Sequence, residues 1–112
     1  MSKSPPYSAL FLDRDGVINK EDGYIDSISR IQFTEGIFDL CRFFKQKFYK
    51  IVIVTNQSGI GRGIISLDQY NSISTFIRSK FEEENCAIDL ILTAIVDPTN
   101  KDSLQEDCTS NR

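Results

Sequence analysis

"LFLDRDG" (Leu10–Gly16) is an apolar run that passes directly into two aspartates spaced by one arginine. The near-continuous apolar stretch from Ser8 to Asp13 has the pattern of a short strand buried on both faces. Side chains two apart on a strand share a face, so Asp13 and Asp15 are expected to converge at the strand's carboxyl end, where Gly16 lets the chain turn away. In open parallel sheets ligands gather at that edge. Converging carboxylates repel, and a divalent cation relieves the repulsion; oxygen ligands of this type favour magnesium. Taken alone, the pair reads equally well as a solvated loop cap.

Outward from this stretch the chain alternates strand and helix. Residues 1–7, with Pro5 and Pro6, read as a leader, and 16–35 as a loop with Asn19, Asp22 and Gly23 as turn formers. Between Gly36 and Phe48, Ile37, Leu40, Cys41, Phe44 and Phe48 recur at helical spacing. Lys50–Thr55 is a second strand rich in β-branched residues, followed by the glycine-rich turn "NQSGIGRG". Ser66 and Gln69 have the spacing of a capping box, and the helix they open runs to about Asn85 with Tyr70, Ile73, Ile77 and Phe81 inward. Asp89–Val96 is a third strand that Asp97-Pro98 ends; the remainder is polar and without periodicity.

This order predicts an α/β, Rossmann-like parallel sheet with right-handed crossovers, in a single partial domain over 8–112 that stops after its third strand. Two crossovers in one direction put both helices on one face. Yet Ile51/Ile53 and Val52/Val54 make both faces of the central strand apolar, leaving one face uncovered and open to self-association.

Composition narrows the chemistry. The 112 residues carry a formal net charge of −3, with no basic stripe for nucleic acid and no run long enough for a signal peptide or membrane span. The 3 cysteines, Cys41, Cys86 and Cys108, lack metal-binding spacing and read as inert thiols of a cytoplasmic protein. There is no histidine, which removes histidine nucleophile pairs, bases and zinc sites together. Gly59, Gly61 and Gly63 suggest a dinucleotide loop, but Ile64 breaks the G-x-G-x-x-G spacing.

A second cluster strengthens the catalytic reading of the aspartates. Strand two ends in Thr55-Asn56-Gln57-Ser58, bringing a hydroxyl and an amide to the same edge, and Ser58–Gly63 offers backbone N–H groups that can face an anion. "FLDRDGVIN", "EDGYI", "FTEGIFDL" and "IVTNQSGIGRG" together resemble the haloacid dehalogenase superfamily of phosphohydrolases, over roughly residues 8–96. The resemblance is to its branch of D-glycero-D-manno-heptose 1,7-bisphosphate and histidinol-phosphate phosphatases.

The resemblance implies hydrolysis of a sugar-phosphate monoester through an aspartyl-phosphate. Asp13 would be the nucleophile and Asp15 the proton-transfer group, and Mg2+ would bind the Asp13 carboxylate and the Asp15 backbone carbonyl. Thr55 and Asn56 would hold phosphoryl oxygens, and Glu21, Asp22, Gly23 and Tyr24 would line the substrate site with Gln57 and Ser58. Arg62 reads equally well as a solvated loop arginine. The family also needs an arginine-lysine pair and a further acidic metal ligand; Arg112 falls where that arginine would stand, and Lys101 and Asp97 are not expected to substitute. Zinc is not expected, because of the cysteines only Cys108 lies in the family's zinc-loop region. A catalytically dead phosphate- or partner-binding remnant remains the contrasting reading. A receiver-like phosphoacceptor fits less well, since receivers do not need the "TNQSGI" loop.

Overall fold

The computed structural model describes residues 8–21 and 23–95, and the backbone of 103–106. Strand β1 (Ala9–Asp13) pairs in parallel with β2 (Lys50–Asn56), and β2 in parallel with β3 (Leu90–Ile95). Helix α1 (Ile37–Gln46) makes the first crossover, and α3 (Leu67–Glu83) the second. The capping box forms as expected: the Ser66 hydroxyl accepts from Gln69 N–H at 3.0 Å while the Gln69 side chain accepts from Ser66 N–H at 2.7 Å.

Both helices lie on one face. Leu12, Ile51, Ile53 and Ile91 pack there against Ile37 and Cys41 of α1 and Ile73, Ile77 and Phe81 of α3. Phe38 and Phe81 meet edge-on with ring centroids 5.0 Å apart, joining the two helices. Arg42 of α1 adds a polar clasp, donating to the Glu84 carbonyl at 2.8 Å and its carboxylate at 3.0 Å. Cys41 and Cys86 are buried free thiols; burial pushes Cys41 up to about 12, and raises Cys86 as well.

The opposite face carries Phe11, Val52, Val54, Leu90, Leu92 and Ala94; Val52 is buried in the row between Phe11 and Leu90, and no described helix lies over this face. Phe11 is 63% exposed, against the expectation of a strand buried on both sides. In the sheet β1 pairs with β2 alone and so lies at the edge, and an unbroken apolar run cannot say whether its second face has a partner.

Three further elements differ from the sequence reading. A fourth strand, β4 (Ser103–Glu106), pairs antiparallel with β3 where a polar irregular segment was expected. Backbone pairing on an edge leaves no apolar alternation to read. The glycine-rich turn contains a one-turn helix, α2 (Ser58–Gly61), and the loop before α1 contains a 3-10 turn at Ile28–Arg30. The leader, Asp22, Asp97, Lys101, Cys108 and Arg112 lie outside the described residues.

Candidate active site

The carboxyl ends of β1 and β2 carry Asp13, Thr55 and Asn56. Asp13 ends β1 opposite Val54 and is exposed on the uncovered face, where strand alternation also puts Asn56. Arg14, one residue on, is turned to the helix side and only 4% exposed. The chain then closes a tight loop. The Arg14 carbonyl accepts from Ile18 N–H at 2.8 Å, and Gly16 N–H donates to the Asn19 carbonyl at 2.7 Å. Gly16 sits at φ +92°, a conformation that strains any residue with a Cβ.

Asp15 does not stand free beside Asp13. Its carboxylate accepts from Arg14 Nε at 2.9 Å and Nη2 at 3.1 Å, from Asn19 Nδ2 at 3.0 Å and from Gln57 Nε2 at 3.1 Å. Each oxygen receives two of these bonds, which fills the roughly four acceptor sites of a carboxylate. Asp13, by contrast, accepts no hydrogen bond from a described side chain. The two aspartates thus share the sheet edge but not an environment.

Gln57 is 4% exposed and does not line an open site. Its Nε2 also donates to the Thr55 hydroxyl at 2.7 Å, so Thr55 is tied to Asp15 through one amide. Thr55 itself is 3% exposed, while Asn56 is open to solvent. Beneath them the buried hydroxyls of Tyr70 and Thr93 are hydrogen-bonded, and the Arg14 guanidinium lies 5.9 Å from the Tyr70 ring centroid.

Tyr24 packs against the α2 turn. A Cβ at Gly59 would stand 2.9 Å from the Tyr24 ring, so glycine there permits the two loops to meet. Glu21, Gly23 and Tyr24 are exposed, and the Glu21 carboxylate lies 3.8 Å from where a Gly16 Cβ would be. The structure therefore brings Glu21 beside the 14–19 loop and Tyr24 beside the α2 turn that follows Thr55–Gln57. The N–H groups of Ile60, Arg62 and Gly63, expected to face an anion, instead donate to carbonyls of residues 57, 58 and 60 within the turn. Arg62 is exposed.

Magnesium binds few protein oxygens and keeps several waters. The open Asp13 carboxylate suits such an ion, and the Asp15 carbonyl takes no part in the backbone bonds that close the 14–19 loop. The Asp15 carboxylate is engaged elsewhere, and among the described residues no group of 3 acidic, histidine or cysteine side chains can hold a metal. The Asp13 carboxylate and the Asp15 carbonyl are the oxygens that would hold such an ion.

Sequence reasoning missed Arg14 and understated Asn19, which is fully buried rather than a surface turn former. The signal for Arg14 was available. Strand period places residue 14 on the same face as Leu12, and an arginine aimed at a core requires a carboxylate partner.

No family model matches the chain. It is 47% identical over 81 residues to the D-glycero-alpha-D-manno-heptose-1,7-bisphosphate 7-phosphatase of Burkholderia mallei, covering 72% of this chain and 43% of that protein. It is 37% identical over 100 residues to the D-glycero-beta-D-manno-heptose-1,7-bisphosphate 7-phosphatase of Haemophilus influenzae, covering 89% and 54%. Among solved structures, a HAD-like phosphatase assignment from Mesorhizobium loti aligns with a TM-score of 0.79 at 28% identity, over 87% of this chain and 46% of that one. The D,D-heptose 1,7-bisphosphate phosphatase of B. bronchiseptica, solved with magnesium and phosphate, shares the fold at a TM-score of 0.77 and 24% identity, over 83% and 52%. The chain spans about half the length of the curated relatives it matches. Over the part that it spans, the chain is related to HAD-like phosphatases and, among them, to the heptose-bisphosphate phosphatases.

Proposed function

We propose that residues 8–95 carry the nucleophile-bearing half of a phosphoric monoester hydrolase acting on a phosphorylated sugar, of the heptose 1,7-bisphosphate type. The observation that carries this reading is the contrast at the sheet edge: an open Asp13 carboxylate beside a saturated Asp15. A nucleophile must reach phosphorus unobstructed, whereas a proton-transfer group must be held in place.

In this reading an Asp13 oxygen bonds to phosphorus as the bond to the leaving alcohol breaks, and the alcohol oxygen takes a proton from Asp15. Water then attacks the aspartyl-phosphate and gives a proton back to Asp15, while the bond from phosphorus to Asp13 breaks, regenerating Asp13 and releasing inorganic phosphate. Asp15 accepts four hydrogen bonds, so one donor must turn away when Asp15 carries the proton. Asn56 and Thr55 offer an amide and a hydroxyl to the phosphoryl oxygens, and Tyr24 with Glu21 forms the rim that meets the sugar. Magnesium, when bound at Asp13, neutralises phosphoryl charge.

Described residues supply too few fixed charges for the whole barrier. Phosphate monoester hydrolysis is among the slowest uncatalysed reactions, and losing one preorganised donor typically costs a factor of about 100–1,000. The chain alone is therefore expected to give no measurable phosphate release from a sugar bisphosphate with magnesium. Turnover is expected when the remaining half of a relative is supplied, fused or in trans, and is lost again in Asp13→Asn. Robust turnover by the chain alone, or complemented turnover that survives Asp13→Asn, contradicts the proposal. The filling of the Asp15 carboxylate by four hydrogen bonds favours one alternative, a remnant that binds phosphate without turning it over. Failure of complementation with intact phosphate binding would select it. Histidinol phosphate is the competing substrate, and the complemented protein's preference between the two esters decides.

A further inference from the structure

The Gln57 side chain is nine-tenths buried, and both hydrogens of its Nε2 are committed: one to Asp15 Oδ2 at 3.1 Å, the other to Thr55 Oγ1 at 2.7 Å. These partners come from different strands' ends, and the 15–57 bond joins residues 42 apart in sequence. We infer that Gln57 is a positioning residue that locks the Asp15 carboxylate to the Thr55 hydroxyl and presets that hydroxyl as a hydrogen-bond donor toward bound phosphoryl oxygen. The inference rests on the proposed function for its consequence, but not for its geometry.

A threonine hydroxyl has one hydrogen and two lone pairs, and a buried one settles into whatever pattern its neighbours allow. Gln57 donates to Thr55 Oγ1, so the hydrogen of that buried hydroxyl points away from the amide. The same NH2 group anchors Asp15 Oδ2 against the pull of Arg14 Nη2 on the same oxygen. Reversing the amide would aim a carbonyl oxygen at an ionised carboxylate, a repulsive contact, so the orientation is fixed by Asp15. Arg14 and Asn19 complete the frame, each with most of its side chain out of solvent. A shift of about 1 Å at a reacting group costs on the order of a hundredfold in rate, so a lock of this kind has kinetic weight.

The test uses the full chain, isotope-labelled, and two readouts. In the first, side-chain amide NMR follows the two Nε2 protons of Gln57. Expected are two distinct resonances that exchange slowly with water, one moving in Asp15→Asn and the other in Thr55→Val. A single pair of signals exchanging as fast as those of a solvated glutamine, or insensitive to both variants, overturns the lock. This readout stands whether or not the chain handles phosphate, so its failure is separate from failure of the functional reading.

In the second, beryllofluoride with magnesium serves as a phosphoryl mimic, read by 19F NMR in wild type and in Gln57→Met, which keeps the volume and removes both donors. The adduct is expected to weaken about tenfold to a hundredfold in Gln57→Met, with the dispersed amide spectrum of a folded chain retained. Unchanged adduct affinity in a folded Gln57→Met overturns the positioning role. A wild type without any adduct counts against the proposed function, and the amide readout then decides the lock alone.

Discussion

Replacing Phe11 with threonine tests the uncovered sheet face. A phenylalanine side chain buries roughly 150–250 Å² when fully enclosed, and Phe11 is 63% exposed at the middle of β1. On the order of 125 Å² of ring therefore faces water, and covering it is worth about 3 kcal/mol at about 25 cal/mol per Å². That corresponds to about two orders of magnitude in any association constant that buries one such ring. Threonine retains strand propensity, so the change removes apolar area and leaves the pairing with Val52 in place. Sedimentation velocity across a concentration series, with fluorescence of a hydrophobic dye, is the assay. Wild type is expected to self-associate and enhance the dye, and Phe11→Thr to move association to about a hundredfold higher concentration. Phe43 and Phe48 are also open to solvent, 53% and 85% exposed, and Phe48→Ser separates their effect from that of Phe11. A monomeric, dye-silent wild type refutes the reasoning. So does association that Phe48→Ser abolishes and Phe11→Thr leaves intact.

Arg14→Met leaves the Asp15 carboxylate in place without its paired cation. Breaking a buried pair in this way costs about 3–5 kcal/mol, and the 23% exposure of Asp15 moves the expectation to about 2–3 kcal/mol. Native-state hydrogen exchange at the 14–19 loop should report it, and protection equal to wild type would contradict it. Gly59→Ala drives a Cβ to 2.9 Å from Tyr24 and 3.1 Å from Ile65. It should destabilise the α2 turn by about 1–3 kcal/mol and displace Tyr24; an unchanged Tyr24 ring spectrum would show that the contact is slack. For pH, the Cys41 thiol is raised from 9.0 to about 12 by burial, so the unfolded chain loses this proton first as pH rises. The Cys41 contribution to stability is full below pH 9.0 and falls between there and about 12, by up to about 1.4 kcal/mol per pH unit. Cys41→Ala should flatten that part of the urea-stability profile, and an unaltered slope would refute the assignment.

Much of the architecture was legible because the elements near the core obey one period each. Ile51, Val52, Ile53 and Val54 mark a central strand, and Ser66 with Gln69 marks the start of α3 to the residue. The sequence order of strands and helices, with the handedness rule, placed both helices on one face. What it left unread follows from pairing that side chains do not encode: β1 at an edge, and β4 held by backbone bonds. At the site, the aspartates and the strand-two cluster stood out as residue types. Their division of labour did not, because it depends on a buried arginine and asparagine whose roles appear only when the 14–19 loop closes. Gln57 shows the same limit. A polar residue beside a ligand loop reads as lining, yet it faces inward.

The most direct measurement of the central claim is which aspartate takes a phosphoryl mimic. Wild type, Asp13→Asn and Asp15→Asn are each titrated with beryllofluoride in the presence and absence of magnesium and followed by 19F NMR. The account predicts a magnesium-dependent adduct in wild type, none in Asp13→Asn, and a weakened but present one in Asp15→Asn. Asp15 holds the site's frame, while Asp13 offers the open oxygen. An adduct that persists in Asp13→Asn and disappears in Asp15→Asn would contradict it, and would move the nucleophile to the residue that this structure ties down.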